Sequence, residues 1–172
     1  MAQLSIIIHP DPRLKKVSTP IVEITDRIRQ LSFDMLETMY QASGVGLAAP
    51  QVGITERLVV MDCSNEGEKK DVILINPKIV WSSEEKGSFE EGCLSIPDIR
   101  ENITRPKSVI VKFTGLDNEH REEVFEDLWA ICIQHEIDHL DGKLFIDYLG
   151  PMKRSLITRK MKKLKKELSR KL

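Results

Sequence analysis

The segment HEIDH, residues 135–139, stands just after the apolar run AICI and constrains the fold more than any other part of the chain. On an α-helix, residues four apart share a face, so both imidazoles can reach one metal ion with Glu136 beside them. The same letters also occur on exposed helical turns, where the side chains are simply solvated. Burying such groups without partners is costly, and the adjoining apolar run therefore favours a metal site on a partly buried helix.

A third protein ligand is needed, and the familiar protease patterns do not supply it. Phe145 stands where HExxHxxGxxH would have its third histidine, and Glu167, the only later glutamate, lies in a lysine-rich tail. Cys132 shares a face with the histidines but lies two turns, about 10 Å, from His139, which favours a packed core thiol. Cys93 in EEGCLSIP is the better candidate, although spacing alone leaves the choice open.

The order of predicted elements is helix, strands, helix, helix, which indicates an α+β fold. Helices are predicted over 26–41, over 128–140 and from Pro151 to the C-terminus. Strands are predicted over 57–63, 72–76, 78–82 and 86–92, followed by a hairpin of 108–116 and 120–128. GVGLAAPQVG is too rich in glycine and alanine for a regular element, and FIDYL is predicted to be a short extended stretch.

Length and composition predict one globular domain, 1–172, without a membrane span. The 172 residues are 41% apolar, and no apolar run approaches the 18 residues that a spanning helix needs. The N-terminal segment lacks the basic region of a signal peptide, so a cytoplasmic protein is expected. Three cysteines in a reducing compartment are expected to be free thiols, metal ligands or core residues.

The C-terminal segment, 151–172, is predicted to be a basic amphipathic helix. It holds ten lysines and arginines against one acid, Glu167, whereas the rest of the chain is acidic. This charge predicts contact with a polyanion. A packed helix with a solvated face, or one that lies on a membrane surface, would look similar.

Three segments together resemble the signature motifs of peptide deformylases. They are GVGLAAPQ (44–51), EGCLS (91–95) and HEIDHLDG (135–142), and their order and spacing match as well. The similarity runs from HPDPRL near the N-terminus to the basic helix, which resembles that of the bacterial class with a helical C-terminus. The resemblance implies an α+β fold with antiparallel β-sheets around a central helix carrying HExxH, plus the C-terminal helix.

The resemblance implies a metal-dependent hydrolase that removes the N-formyl group from the initiator methionine of nascent polypeptides and releases formate. Carried over by motif, the metal ligands are Cys93, His135 and His139, the acid/base residue is Glu136, and the oxyanion donors are Gln51 and the backbone N–H of Leu94. One thiolate, two imidazoles and an open position suit a catalytic site. The glutamate would take a proton from water and return it to the leaving amine.

The segments around these positions are expected to bind the substrate. By resemblance, the apolar walls of a methionine pocket are Val45, Leu128, Ile131 and Cys132. Gly44 and Gly46 add little bulk, so a peptide could pair with this segment as an added strand. The remaining predicted contacts are Glu91 and Arg100, and a solvated surface role is equally compatible with the arginine.

The implied cofactor is one divalent metal ion, physiologically Fe²⁺, with Zn²⁺, Ni²⁺ or Co²⁺ possible in a purified sample. The implied partners are N-formyl-Met nascent peptides and the ribosome near its exit tunnel. The basic C-terminal helix would bind the ribosome, and the protein is expected to be a monomer. Two other hypotheses are another amidase or peptidase using the same ion, and a ribosome-binding protein with a structural metal. Gln51 and Glu136 argue against a structural site, which needs neither.

Overall fold

The computed structural model describes residues 2–172 as three α-helices and two antiparallel sheets. The helices are α1 (Asp26–Gln41), α2 (Asp127–Leu140) and α3 (Pro151–Arg170). The strands are β1 (Gly46–Ala48), β2 (Leu58–Met61), β3 (Val72–Ser82), β4 (Lys86–Cys93), β5 (Ile96–Pro106), β6 (Ser108–Thr114) and β7 (His120–Glu126). Short 3-10 helices cover Pro12–Lys15, Ala49–Val52 and Phe145–Tyr148. The predicted α+β class is confirmed.

The larger sheet has the order β1-β2-β3-β6-β7 and is covered by a helix on each face. Alternate residues of β2 point to opposite sides: Leu58 and Val60 pack with α1, whereas Val59 and Met61 pack with α2. All four are fully buried, which explains why this strand has a continuous apolar sequence without alternation.

Strands β4 and β5 form the second sheet, and α2 contacts both sheets. The helix carrying HEIDH is therefore central, as predicted. It ends at Leu140 with Asp141 as its C-cap, and Gly142 follows with φ of +75°. A Cβ at Gly142 would lie 2.5 Å from the carbonyl oxygen of Lys15, so glycine is required both for the turn and for this close approach.

Two predictions in the strand region were wrong. Residues 72–76 and 78–82 belong to one strand, β3, which bends through register shifts against β6. Strand β5 was not predicted, because Glu101 and Arg105 stand on its inward side and hide the alternation of its isoleucines. The EGC part of EGCLSIP continues β4, so only a tight turn separates β4 from β5.

Two segments, one predicted to be irregular and one predicted to be extended, form short regular elements held by hydrogen bonds. Within GVGLAAPQVG, Gly46–Ala48 forms the edge strand β1 and the next residues form a 3-10 helix, because Gln51 accepts a hydrogen bond from the N–H of Ala48. FIDYL is a 3-10 helix rather than an extended stretch, since the Asp147 carboxylate accepts from the N–H of Leu144.

Helix α3 packs through Ile157 and Met161 against a cluster that includes Ile96 and Phe145. Among residues 2–172, Lys153 is the one cation of α3 that forms an ion pair, with Glu101. The other lysines and arginines of this helix leave a strongly positive face. Within the described chain, no helix combines the length and the apolar character needed to cross a membrane.

Candidate active site

Cys93, His135 and His139 come together where the end of β4 meets the middle of α2. Their potential ligand atoms all lie within 4.8 Å of one another, and the Cys93 Sγ is 3.3 Å from the His139 Nε2. Antiparallel pairing of β4 with β5 delivers the cysteine to the helix face on which both histidines stand. The three residues form a possible metal-binding group, and a thiolate with two imidazoles leaves a fourth position open.

The pKa values of the two histidines in this cluster are shifted in opposite directions. Burial holds the pKa of His139 well below its ordinary value, so the ring is neutral and can donate a lone pair. Burial also lowers the pKa of His135, but interactions with Cys93 and Glu91 outweigh it and raise this pKa. Metal binding would therefore release protons from the site.

Cys132 has the environment of a core thiol. Its Sγ lies 3.6 Å from the carbonyl oxygen of Val45, and the neighbouring Cys63 together with burial raises the pKa of the Cys132 thiol. A protonated thiol is a poor metal ligand. The geometry therefore separates Cys132 from the ligand group and leaves Cys93 within it.

A buried ionic network lies behind His135. The Nδ1 of His135 is 3.0 Å from a Glu91 oxygen, and Arg105 donates two hydrogen bonds to the same carboxylate at 2.5 and 2.9 Å. Arg105 also bonds to Asp138, which accepts from the hydroxyl of Tyr148. Burial raises the pKa of Glu91, but the bonds from His135 and Arg105 outweigh it and keep the carboxylate ionised.

Glu136 is 4% exposed and borders the open space beside the cluster. Burial raises the pKa of its carboxyl to about 7, close to the range in which a group can both take and return a proton. Within the described residues, its Oε2 is buried without a hydrogen-bond partner. A Cβ on Gly46 would lie 2.7 Å from the other oxygen, so glycine at this position makes room for the carboxylate.

Gln51 reaches the cluster from the 3-10 helix after β1. Its Nε2 lies 3.6 Å from the Cys93 Sγ and 3.2 Å from the Ser95 Oγ. Leu94, in the turn between β4 and β5, lines the same space. A side-chain amide and a backbone N–H are neutral donors of the type that stabilises a developing oxyanion.

A cavity of about 560 Å³ opens beside the cluster. It brings together every predicted site residue except His139, namely Gly44, Val45, Gly46, Gln51, Glu91, Cys93, Leu94, Arg100, Leu128, Ile131, Cys132, His135 and Glu136. His139 is fully buried behind the cavity wall. Arg100 is exposed at the rim and forms an ion pair with Glu90 at 3.0 Å.

Sequence reasoning missed Ser95 beside Gln51, as well as Arg105 and Tyr148 in the ionic network. Ser95 lies within EGCLS and could have been singled out as a polar residue following a predicted ligand. Arg105 and Tyr148 carry no local signal, because their partners Glu91 and Asp138 are at least ten residues away along the chain.

A possible Cys/His/His metal group on a central HExxH helix, with a buried glutamate beside an open cavity, defines the class of metal-dependent hydrolases. The family model described as polypeptide deformylase matches residues 3–155. The chain belongs to this family, whose members are metal-dependent and remove the N-formyl group from nascent peptides.

Individual relatives are similar to this chain in sequence and in structure over most of its length. A peptide deformylase of Alkalilimnicola ehrlichii is 51% identical and covers 95% of this chain and 92% of its own. The crystal structure of a peptide deformylase from Legionella pneumophila is 42% identical, with a TM-score of 0.91 over 98% of this chain and 99% of that chain. A Met-Ala-Ser-bound deformylase structure from Acinetobacter baumannii is 34% identical, with a TM-score of 0.82 over 86% of this chain and 99% of that chain.

Proposed function

We propose that Cys93, His135 and His139 hold one divalent metal ion with which this chain hydrolyses the formyl group of N-formyl-methionyl peptides. The observation that carries the proposal is the convergence of these ligand atoms within 4.8 Å at the wall of one cavity. The donor set suits a divalent metal ion, because the His139 ring is neutral and a thiolate offsets part of the positive charge of the ion. When bound, a divalent ion lowers the pKa of water and polarises a carbonyl group.

Two side chains and one backbone N–H of the protein supply the proton transfers and the oxyanion contacts. Glu136 takes the proton from the attacking water and gives it to the leaving amine. The Gln51 amide and the Leu94 N–H bind the oxygen of the formyl group as negative charge develops on it. Glu136, Gln51 and Leu94 all line the cavity, so their groups can reach one bound formyl group.

The cavity also supports the proposed binding of the methionine side chain. Val45 and Leu128 are about half exposed at the opening, whereas Ile131 and Cys132 are buried deeper. A methionine that covers these apolar atoms removes them from water, which favours binding. The peptide that follows it would run along Gly44 and Gly46, with Arg100 near the rim, in keeping with the relative that binds Met-Ala-Ser.

We propose a different role for Glu91 from the substrate contact expected above. Its carboxylate is buried and already accepts bonds from Arg105 and His135. A carboxylate that holds the far nitrogen of a metal-binding histidine fixes the orientation of the ring. Glu91 therefore positions His135, although it also borders the cavity.

The physiological metal is proposed to be Fe²⁺. Thiolate and imidazole ligands also suit zinc, which binds such sites more tightly than ferrous iron in the usual affinity order. The native ion therefore depends on supply, and Zn²⁺, Ni²⁺ or Co²⁺ could occupy the same ligands in a purified sample.

Formate release from formyl-Met-Ala-Ser tests the function directly. Protein purified anaerobically and loaded with Fe²⁺ is expected to release formate, and acetyl-Met-Ala-Ser serves as the matched control because it has a methyl group where the formyl group has hydrogen. Chelation should abolish release, and added Fe²⁺ should restore it better than Zn²⁺. A folded, fully metallated protein that releases no formate would instead favour a ribosome-binding protein with a structural metal.

The basic helix α3 supports docking on the ribosome near the exit tunnel, where formylated chains emerge in the cytoplasm. Most of its cations face solvent, with only Lys153 ion-paired among the described residues, and Ile157, Met161 and Leu164 of its apolar side pack against the core. The family match ends at residue 155, so most of α3 lies outside the matched region. Ribosomal RNA is a polyanion of the required charge. We propose that the enzyme docks as a monomer.

Neutralising the exposed cations is expected to weaken ribosome binding about tenfold while kcat/KM for the tripeptide stays unchanged. The change is the triple replacement Lys160→Gln, Lys163→Gln and Lys166→Gln, which avoids uncovering the buried Ile157 and Met161. Co-sedimentation with ribosomes at two salt concentrations measures the effect. The matched control replaces Lys70, Lys78 and Lys86 on the body, and equal affinity of both triple variants would contradict the docking proposal.

A further inference from the structure

We infer that Ser95 is a positioning residue whose hydroxyl holds the Gln51 amide toward the reacting carbonyl. The inference rests on the proposed function, in which Gln51 is an oxyanion donor. The Ser95 Oγ lies 3.2 Å from the Gln51 Nε2, and both side chains are almost fully buried. Removing one partner of a buried hydrogen bond leaves the other polar group unsatisfied at a cost in free energy.

The orientation of the amide is determined from its other end. The Gln51 Oε1 accepts a hydrogen bond from the N–H of Ala48 at 3.0 Å, which only an oxygen can do. The Nε2 must then point toward Cys93 and Ser95. Of its two N–H groups, one is taken by the Ser95 hydroxyl and the other points toward the side of the ligand group, where a substrate oxygen would lie.

The backbone of Ser95 is held in register with Gln51 by the N-terminal segment. The N–H of Ile7 donates to the carbonyl of Gln51 at 2.8 Å, and the N–H of His9 donates to the carbonyl of Ser95 at 2.9 Å. Residues 7–9 thus connect two motifs that are 44 positions apart. This arrangement fixes the hydroxyl and the amide relative to each other before the substrate binds.

Replacing Ser95 by alanine leaves one buried N–H without its acceptor, so that on the Nε2 side only the 3.6 Å contact with the Cys93 sulfur still holds the amide. The expected result for Ser95→Ala is a decrease in kcat of about tenfold, with KM changed less than about twofold, because the lost orientation matters most in the transition state. Metal content is expected to be unchanged. Formate release over a range of formyl-Met-Ala-Ser concentrations separates the two constants.

A double-mutant cycle distinguishes a positioning role of Ser95 from a purely structural one. In a Gln51→Ala background, Ser95→Ala should produce no further decrease in kcat, because the amide it positions is absent. The matched control is Ser32→Ala, which removes another fully buried serine hydroxyl, bonded within α1 and outside the lining of the cavity. This control is expected to keep the wild-type kcat, and thermal unfolding of all variants checks that they fold.

The outcomes separate the inference from the function on which it rests. Loss of kcat in Gln51→Ala without loss in Ser95→Ala would overturn the positioning role alone. Losses that multiply in the double variant would also overturn it, since Ser95 would then act independently of Gln51. Unchanged kcat in Gln51→Ala would show that the proposed oxyanion role is wrong and would remove the basis of the inference as well.

Discussion

Replacing Glu136 by glutamine is expected to lower kcat for formyl-Met-Ala-Ser about a thousandfold. The amide keeps the shape of the side chain in the tight space beside Gly46 but cannot take a proton from water. The metal content should stay at the wild-type level, because the proposed ligands are Cys93, His135 and His139. Formate release, together with metal analysis of the same preparation, measures both quantities.

The matched control for this variant is Glu123→Gln, which removes one negative charge from an exposed position on β7. It is expected to retain the wild-type rate. A Glu136→Gln protein that binds metal and keeps more than about a tenth of the rate would rule out the acid/base role, because general acid–base catalysis contributes at least about a hundredfold.

Replacing Arg105 by methionine is expected to lower the free energy of unfolding by about 3 kcal/mol or more. Methionine fills similar space but leaves the Glu91 carboxylate buried without its bidentate cation. The carboxylate would then hold His135 less firmly, and we expect metal affinity to decrease at least about tenfold. Urea unfolding of metal-loaded protein and competition with a chelator measure the two effects.

Arg27→Met is the matched control, because Arg27 also binds a carboxylate with two hydrogen bonds, that of Glu56. The difference is burial: the side chain of Arg27 is 60% exposed, whereas that of Arg105 is 5% exposed. An exposed pair contributes less than about 1 kcal/mol. If both variants lose the same free energy of unfolding and keep their metal affinity, the ionic network around Arg105 has no special role in the site.

The parts of the fold that were predictable are those in which neighbouring residues carry the signal. Helix α2 and the β6–β7 hairpin follow from local periodicity and turn residues, and the structure confirms both. Strand β5 was missed because the buried Arg105 looks like a surface residue until its partner Glu91 is known. A buried ion pair between strands thus contradicts the rule that apolar residues mark the inner face.

The sequence by itself determined the class of chemistry: the spacing of His135 and His139 on a helix places two imidazoles on one side, and three motifs in order indicate the family. The residue pattern favoured Cys93 over Cys132 as the third ligand but left the choice open, and only the tertiary structure brings the Cys93 sulfur close to both histidines. The β4–β5 pairing places the Cys93 sulfur at the histidines, whereas the Cys132 sulfur, one turn earlier on α2, lies beside the carbonyl oxygen of Val45. Sequence patterns record local spacing, whereas a metal site depends on distances between atoms that the chain brings together only when it folds.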